Sequence, residues 1–169
     1  MGFNSVFKEL KTAAWNANGL IQHAQEIKLF IRTINLDILL VSETHFTNRS
    51  YIKIPNYNIY HTNNPDDTAH GGTAVIIRQN IKHYVRVEYR HEIKHATRIA
   101  IEDNPGETRV SAIYCPPKHR NIYDDYKRFF KTLGNRFIAG EYNAKNTFWG
   151  LDSRLQKEES YMKLCKIIT

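Results

Sequence analysis

Two stretches of this chain are apolar on consecutive residues rather than on alternate ones: 36–41, reading Leu-Asp-Ile-Leu-Leu-Val, and 73–77, reading Thr-Ala-Val-Ile-Ile. A strand with one wet face alternates apolar and polar side chains, so a continuous run suits a strand covered on both faces. Such strands need further layers above and below. The rest of the chain supplies candidates for them. Leu20, Ala24, Ile27, Ile31 and Ile34 recur at helical spacing, as do Ile122, Tyr126, Phe129 and Leu133, and again Tyr161, Leu164, Cys165 and Ile168. Strand-like segments fall at 11–15, 84–89, 96–101, 109–114 and 136–139. Residues 52–61 form a looser segment with a turn at Pro55-Asn56, 63–67 read as a loop, and Asn104-Pro105-Gly106 is a strong turn signal. Strands interleaved with helices call for a layered α/β or α+β domain.

Composition narrows the function classes. The 169 residues are enough for one domain with a real core, and no repeat or low-complexity linker divides them. The formal net charge of +7 favours a polyanionic partner, although a merely basic soluble protein is the simpler alternative. Two cysteines exclude a disulfide framework and fit a reduced, intracellular compartment. The first residues lack the apolar run of a signal peptide, and no stretch approaches a membrane span of about 20 apolar residues. Asn48-Arg49-Ser50 matches a glycosylation sequon and is read as chance.

Polar residues collect where strands end. Trp15-Asn16-Ala17-Asn18-Gly19 follows the first strand; its amide oxygens can bind a hard cation, with Asn18 as a helix N-cap the simpler reading. Ser42-Glu43-Thr44-His45 follows the first buried run, and a carboxylate there is a natural Mg²⁺ ligand, against the alternative of a solvated loop Glu. Tyr114 ends the strand before Cys115-Pro116-Pro117; its phenol can donate to a phosphate or simply pack. In Gly140-Glu141-Tyr142-Asn143-Ala144-Lys145-Asn146 the carboxylate of Glu141 can position a water and Asn143 can hold a phosphate, or the segment is a turn. No zinc pattern, phosphate loop or nucleophile elbow is present, and His23, His83, His91, His95 and His119 show no partner spacing.

Taken in order, these stretches resemble the endonuclease/exonuclease/phosphatase family, most closely the apurinic-type endonuclease domain of Jockey-like insect non-LTR retrotransposons. The resemblance runs through Ala14–Leu20, Val41–Phe46, Gly71–Val75, Ala112–Pro117 and Gly140–Asn146 with Phe148-Trp149-Gly150, from about residue 11 to residue 155. It implies a four-layer sandwich of two packed mixed β-sheets flanked by helices, with one site at one edge. It also implies Mg²⁺- or Mn²⁺-dependent nicking of DNA that leaves a 3′-hydroxyl to prime a reverse transcriptase downstream in the same polyprotein, nuclear action and no membrane. Oligomeric state is left open. By the same resemblance Glu43 is the metal-binding glutamate, Asn16 organises the metal and its carboxylate, Tyr114 contacts the scissile phosphate and Asn143 orients the phosphate or water. Asn18, Lys145 and Trp149 are weaker DNA-binding candidates.

Two departures qualify it. Glu141 stands where the family has Asp, and one extra methylene displaces a carboxylate by roughly 1 Å, enough to cost about 10²-fold in rate. The family also closes its site with a later Asp and a Ser-Asp-His, whereas this sequence ends at Thr169 within the third expected helix. The expectation is a single domain over 1–169, incomplete at its carboxy end, lacking its last strands and impaired in chemistry. The alternatives are a remnant with residual DNA binding and a small-substrate phosphatase.

Overall fold

The computed structural model describes residues 10–86, 89–91, 94–103, 106–114, 127, 131 and 137–139. Nine strands and one α-helix have both their bounds among them. In chain order these are β1 (Thr12–Asn16), a 3-10 turn (Leu20–His23), α1 (Ala24–Thr33), β2 (Ile38–Ser42), β3 (Tyr57–Thr62), β4 (Thr73–Arg78), β5 (His83–Val85), β6 (Tyr89–His91), β7 (Lys94–Asp103), β8 (Gly106–Tyr114) and β9 (Phe137–Ala139). They form two mixed sheets. The first has the order β1-β2-β4-β3, with β1 and β2 parallel and the other pairs antiparallel. The second has the order β5-β7-β8-β9, with β6 also pairing β7, and β8 and β9 parallel.

The two apolar runs become neighbours at the centre of the first sheet. β2 and β4 pair from Ile38 with Ile77 to Ser42 with Thr73, and every residue of β2 is buried. Ala14, Ile38, Leu40, Val75 and Ile77 face the second sheet, where Ile99, Ile101, Val110 and Ala112 meet them. Ala13, Trp15, Leu39, Val41, Ala74 and Ile76 face the other way, onto Ile27 and Ile31 of α1 and onto Phe46 and Ile54. One strand therefore serves two cores, which is why its sequence cannot alternate. Burying a side chain such as Ile27 or Ile31 contributes about 1.5–3 kcal/mol each.

Three layers are thus explicit: α1 with the 46–56 segment, the first sheet, and the second sheet. Ala100, Ser111 and Ile113, on the far face of the second sheet, are buried as well, as a fourth covering layer requires. Of the second expected helix, Lys127 and Lys131 are helical and the remainder lies outside the described residues, as does the third.

Several boundaries differ from the sequence reading. The helical run from Leu20 opens as a 3-10 turn, because Leu20 is tied back to the Thr44 carbonyl before the α-helix starts. The looser segment ends in a true strand: β3 pairs with β4 along its whole length, its half-exposed Tyr-Asn-Ile-Tyr-His pattern being typical of an edge position. The strand expected at 84–89 is two short ones, β5 and β6, both paired with the long β7. β7 and β8 close with Asp103 opposite Gly106, which leaves two residues for the turn marked by Asn104-Pro105-Gly106.

Candidate active site

β1 and β2 are parallel and both end at the same edge, with Asn16 opposite Ser42; β4, antiparallel, begins there at Thr73. The next residue after β2 is Glu43. Its backbone is left-handed (φ 53°), as is that of His45 (φ 54°), Asn18 (φ 42°), Gly19 (φ 106°), Gly71 (φ 59°) and Gly72 (φ 77°). Left-handed backbone costs a non-glycine residue roughly 1–2 kcal/mol. At Glu43 and His45 hydrogen bonds over-determine it. Gly19 N donates to Glu43 O and Leu20 N to Thr44 O, both at 2.9 Å; His45 N donates to Gly71 O at 2.9 Å. Three loops, 17–20, 43–46 and 70–72, are stitched together through their backbones.

This stitching aims the side chains. Asn16 Nδ2 donates to Glu43 Oε1 at 3.0 Å, and the Asn18 amide donates to Asn16 Oδ1 at 3.2 Å. Both ends of the Asn16 amide are engaged, so its plane is fixed and with it the Glu43 carboxylate. Asn18 itself caps nothing: Gly19 occupies the N-cap position and no side chain closes the turn. The capping alternative for Asn18 is thereby replaced by a backbone role. The Glu43 side chain is 20% exposed, enough for a ligand to reach it from solvent. His45 Nε2 lies 4.0 Å from Glu43 Oε2, beyond hydrogen-bond distance, and the His45 ring meets the exposed His70 edge to face at 6.2 Å.

Tyr114 reaches the same edge from the second sheet. A Cβ built on Gly71 would lie 2.6 Å from its Cε1, so the phenol ring packs directly on the Gly71 backbone. A Cβ on Gly72 would lie 2.6 Å from Thr44 Oγ1. The glycine pair is what lets Tyr114 and the 43–46 loop close on one another. Beneath them, Thr97 Oγ1 lies 2.8 Å from Thr73 Oγ1 and donates to Thr62 Oγ1 at 3.0 Å, pinning the two sheets together with buried hydroxyls. β9 runs parallel to β8 towards this edge. Glu141, Asn143, Lys145 and Trp149, which follow it in sequence, lie outside the described residues.

The structure thus brings together Asn16, Glu43 and Tyr114, which come from three strand ends up to 98 residues apart (114 − 16). The sequence reading gave no role to His70 and none to Gly71 and Gly72 beyond the family resemblance. For His70 nothing in the sequence signals proximity to His45. For the glycines the signal was present, since a Gly pair entering a buried strand marks a close backbone approach.

Chemically, a partly exposed carboxylate with one oxygen held by an amide N–H, as in Glu43, is a hard-oxygen donor. Mg²⁺ suits it, because that ion keeps several waters and is bound through one or two carboxylates rather than a protein cage. Among the described residues no group of three or more His, Cys, Asp or Glu is placed to hold a metal. Among the described residues no helix is long and apolar enough to cross a membrane.

Comparison with known proteins follows the same lines. Residues 13–158 match the model of the Endonuclease/Exonuclease/phosphatase family. The RNA-directed DNA polymerase from mobile element jockey of Drosophila melanogaster is 37% identical over 142 residues, covering 83% of this chain, and its Drosophila funebris counterpart is 34% identical over 142 residues. The chain spans 16% of the length of either relative. The endonuclease domain of TRAS1, a telomere-specific non-LTR retrotransposon, superposes with a TM-score of 0.63 at 18% identity, covering 85% of this chain and 64% of that one. The two stacked mixed sheets, with the Asn16–Glu43 pair at one edge and a family match over 13–158, make this chain a member of the endonuclease/exonuclease/phosphatase family.

Proposed function

We propose that the chain is the metal-dependent DNA endonuclease domain of a non-LTR retroelement, nicking target DNA to leave a 3′-hydroxyl that primes reverse transcription by a downstream polymerase of the parent polyprotein. The observation that carries this is the fixed Asn16–Glu43 pair at the edge where Tyr114 arrives. The similarity to jockey polymerases and to the TRAS1 endonuclease fold supports it.

In this reading Glu43, steered by Asn16, holds Mg²⁺ or Mn²⁺. When bound, the metal acts as a Lewis acid on the phosphoryl group. Tyr114 donates its hydroxyl proton as a hydrogen bond to a phosphate oxygen. Asn143 orients the phosphate, and Glu141 positions and deprotonates the attacking water. Asn18, Lys145 and Trp149 contact the DNA strand. The left-handed backbone at Glu43 and His45 is strain of the kind that folds retain at working sites.

The test is nicking of supercoiled plasmid with Mg²⁺ or Mn²⁺, comparing the chain with Glu43→Ala. Nicking lost in the variant supports the site. Metal-dependent nicking that survives the substitution overturns it. No nicking by folded wild-type protein that still binds DNA points instead to a DNA-binding remnant.

A further inference from the structure

A second feature lies on the outer face of the first sheet, away from the Glu43 edge. α1 and the segment 51–55 both run across that face from the Glu43 edge towards the opposite one. α1 begins just after Leu20, which is tied to Thr44, and ends just before β2 starts. Residues 51–55 leave the 46–50 loop and enter β3 where it pairs with the end of β4. Between them is a groove of about 540 Å³ lined by Gln25, Lys28, Leu29, Arg32, Lys53 and Pro55.

The groove's chemistry is one-sided. On α1, residues 25, 28, 29 and 32 form a single stripe at helical spacing, opposite the buried Ile27 and Ile31. In the 51–55 segment burial alternates: Ile52 and Ile54 pack inward, while Tyr51, Lys53 and Pro55 face out. Three cations, Lys28, Arg32 and Lys53, therefore converge from two elements. Among the described residues none of them has a carboxylate partner, whereas Arg78 and Arg86 are each paired with an acid. Glu26, the acid on α1, lies off the stripe and bonds His23. In the groove Leu29 is 69% exposed, and Tyr51, on the same outward side of its segment as Lys53, is 77% exposed. Apolar surface held in water beside unneutralised cations suits a ligand with both an anionic backbone and flat apolar faces.

We propose that this groove binds single-stranded nucleic acid, with Lys28, Arg32 and Lys53 on phosphates and Tyr51 stacking on a base. Cationic grooves with stacking aromatics are the general solution for unpaired strands. The assignment stands on the groove's own residues and does not require the Glu43 site to cleave.

The test is fluorescence anisotropy of a labelled oligothymidylate with the full chain, in EDTA so that no cleavage intervenes, over a salt series. The combined variant Lys28→Ala, Arg32→Ala, Lys53→Ala lowers the slope of log affinity against log salt by about 2, since each phosphate contact on a single strand contributes roughly 0.7. Tyr51→Ala weakens binding about tenfold without changing the slope. Arg32, Lys53 and Tyr51 are exposed and Lys28 is half-buried, and far-UV circular dichroism confirms that the variants are folded. Unchanged affinity and slope in the folded triple variant overturn the proposal. So does displacement of the oligonucleotide by polyglutamate at equal charge, which would identify an acidic polypeptide as the occupant. A chain that never nicks but shows the slope change leaves this inference standing. A chain that nicks while binding the oligonucleotide independently of the three cations overturns this inference alone.

Discussion

At one end of β1, β2 and β4 sit Lys11, Asp37 and Arg78; at the other sit Asn16, Glu43 and Gly72. The first end is closed. Asp37 is 5% exposed, with Arg78 Nε 3.1 Å from its Oδ1 and the Lys11 amide donating to its Oδ2 at 3.1 Å. Arg78 also donates to Asn35 Oδ1 and to Leu36 O, and lies over the Tyr57 ring. Burial pushes the Tyr57 hydroxyl above its ordinary pKa, and the nearby Arg78 cation opposes that shift. At the second end Glu43 carries strained backbone and a side chain open to solvent. The same strands thus carry two carboxylates with opposite assignments: Asp37 holds the fold together, and Glu43 is held by it.

That contrast makes graded predictions. The largest effect belongs to Glu43→Gln, which keeps the shape and removes the charge. Nicking falls by on the order of 10²- to 10³-fold, while the thermal midpoint stays within the change expected of an ordinary surface substitution. A large loss of stability instead would erase the distinction between the two ends.

Asp37→Ala should do the converse. It leaves Arg78 as a partly buried, uncompensated charge, costing about 3 kcal/mol and lowering the midpoint by roughly 6–12 °C. Specific activity of the folded fraction is retained, as thermal denaturation and nicking together would show. Activity lost in step with Glu43→Gln would mean that the far end also shapes the site.

Gly71→Ala sharpens the account of the site edge. The new methyl meets the Tyr114 ring, and φ +59° disfavours any side chain. About 1–2 kcal/mol of stability is lost, together with nicking, because the ring must move. Restoration of the stability, though not of nicking, by adding Tyr114→Ala would show that the ring, rather than the backbone, is the obstacle.

The smallest effect lies away from both ends, where Glu107 is bonded by Arg86, Tyr84 and Arg109. Hydrogen bonds from these groups, Arg86 first, hold its pKa down from 4.5 to about 2. A carboxyl with a depressed folded-state pKa contributes its stability in full above the unfolded value and loses it as pH falls through the folded one. A modest decline in stability between about pH 4.5 and 2 is expected to disappear in Glu107→Gln, as acid titration of both proteins would show.

The legible parts of the fold were those where one residue's neighbours in sequence are also the ones that decide its state. β2 and β4 were readable because a strand buried on both faces is apolar throughout. α1 was readable from Ile27 and Ile31, and the β7–β8 hairpin from its turn residues. β3 was not, because an edge strand of half-exposed Tyr, Asn and His has no periodic signal and is made a strand by pairing with β4. In the site, the strand-end positions of Asn16, Glu43 and Tyr114 were legible, but Asn18 as a cap was not sustained and His70 gave no sign of itself.

The sequence by itself determined that two fully buried strands need layers on both sides, that polar residues gather at strand ends, and that the chain is cationic. Those are properties of local periodicity and composition. The tertiary structure alone decided that Asn16 and Glu43 share a hydrogen bond, that Tyr114 lies against Gly71, and that Lys28, Arg32 and Lys53 line one groove. Each of these depends on strand register, on the stacking of two sheets, and on which face of the first sheet a helix and a loop come to share. Those relations are set by packing between residues distant in sequence, and local spacing does not encode them.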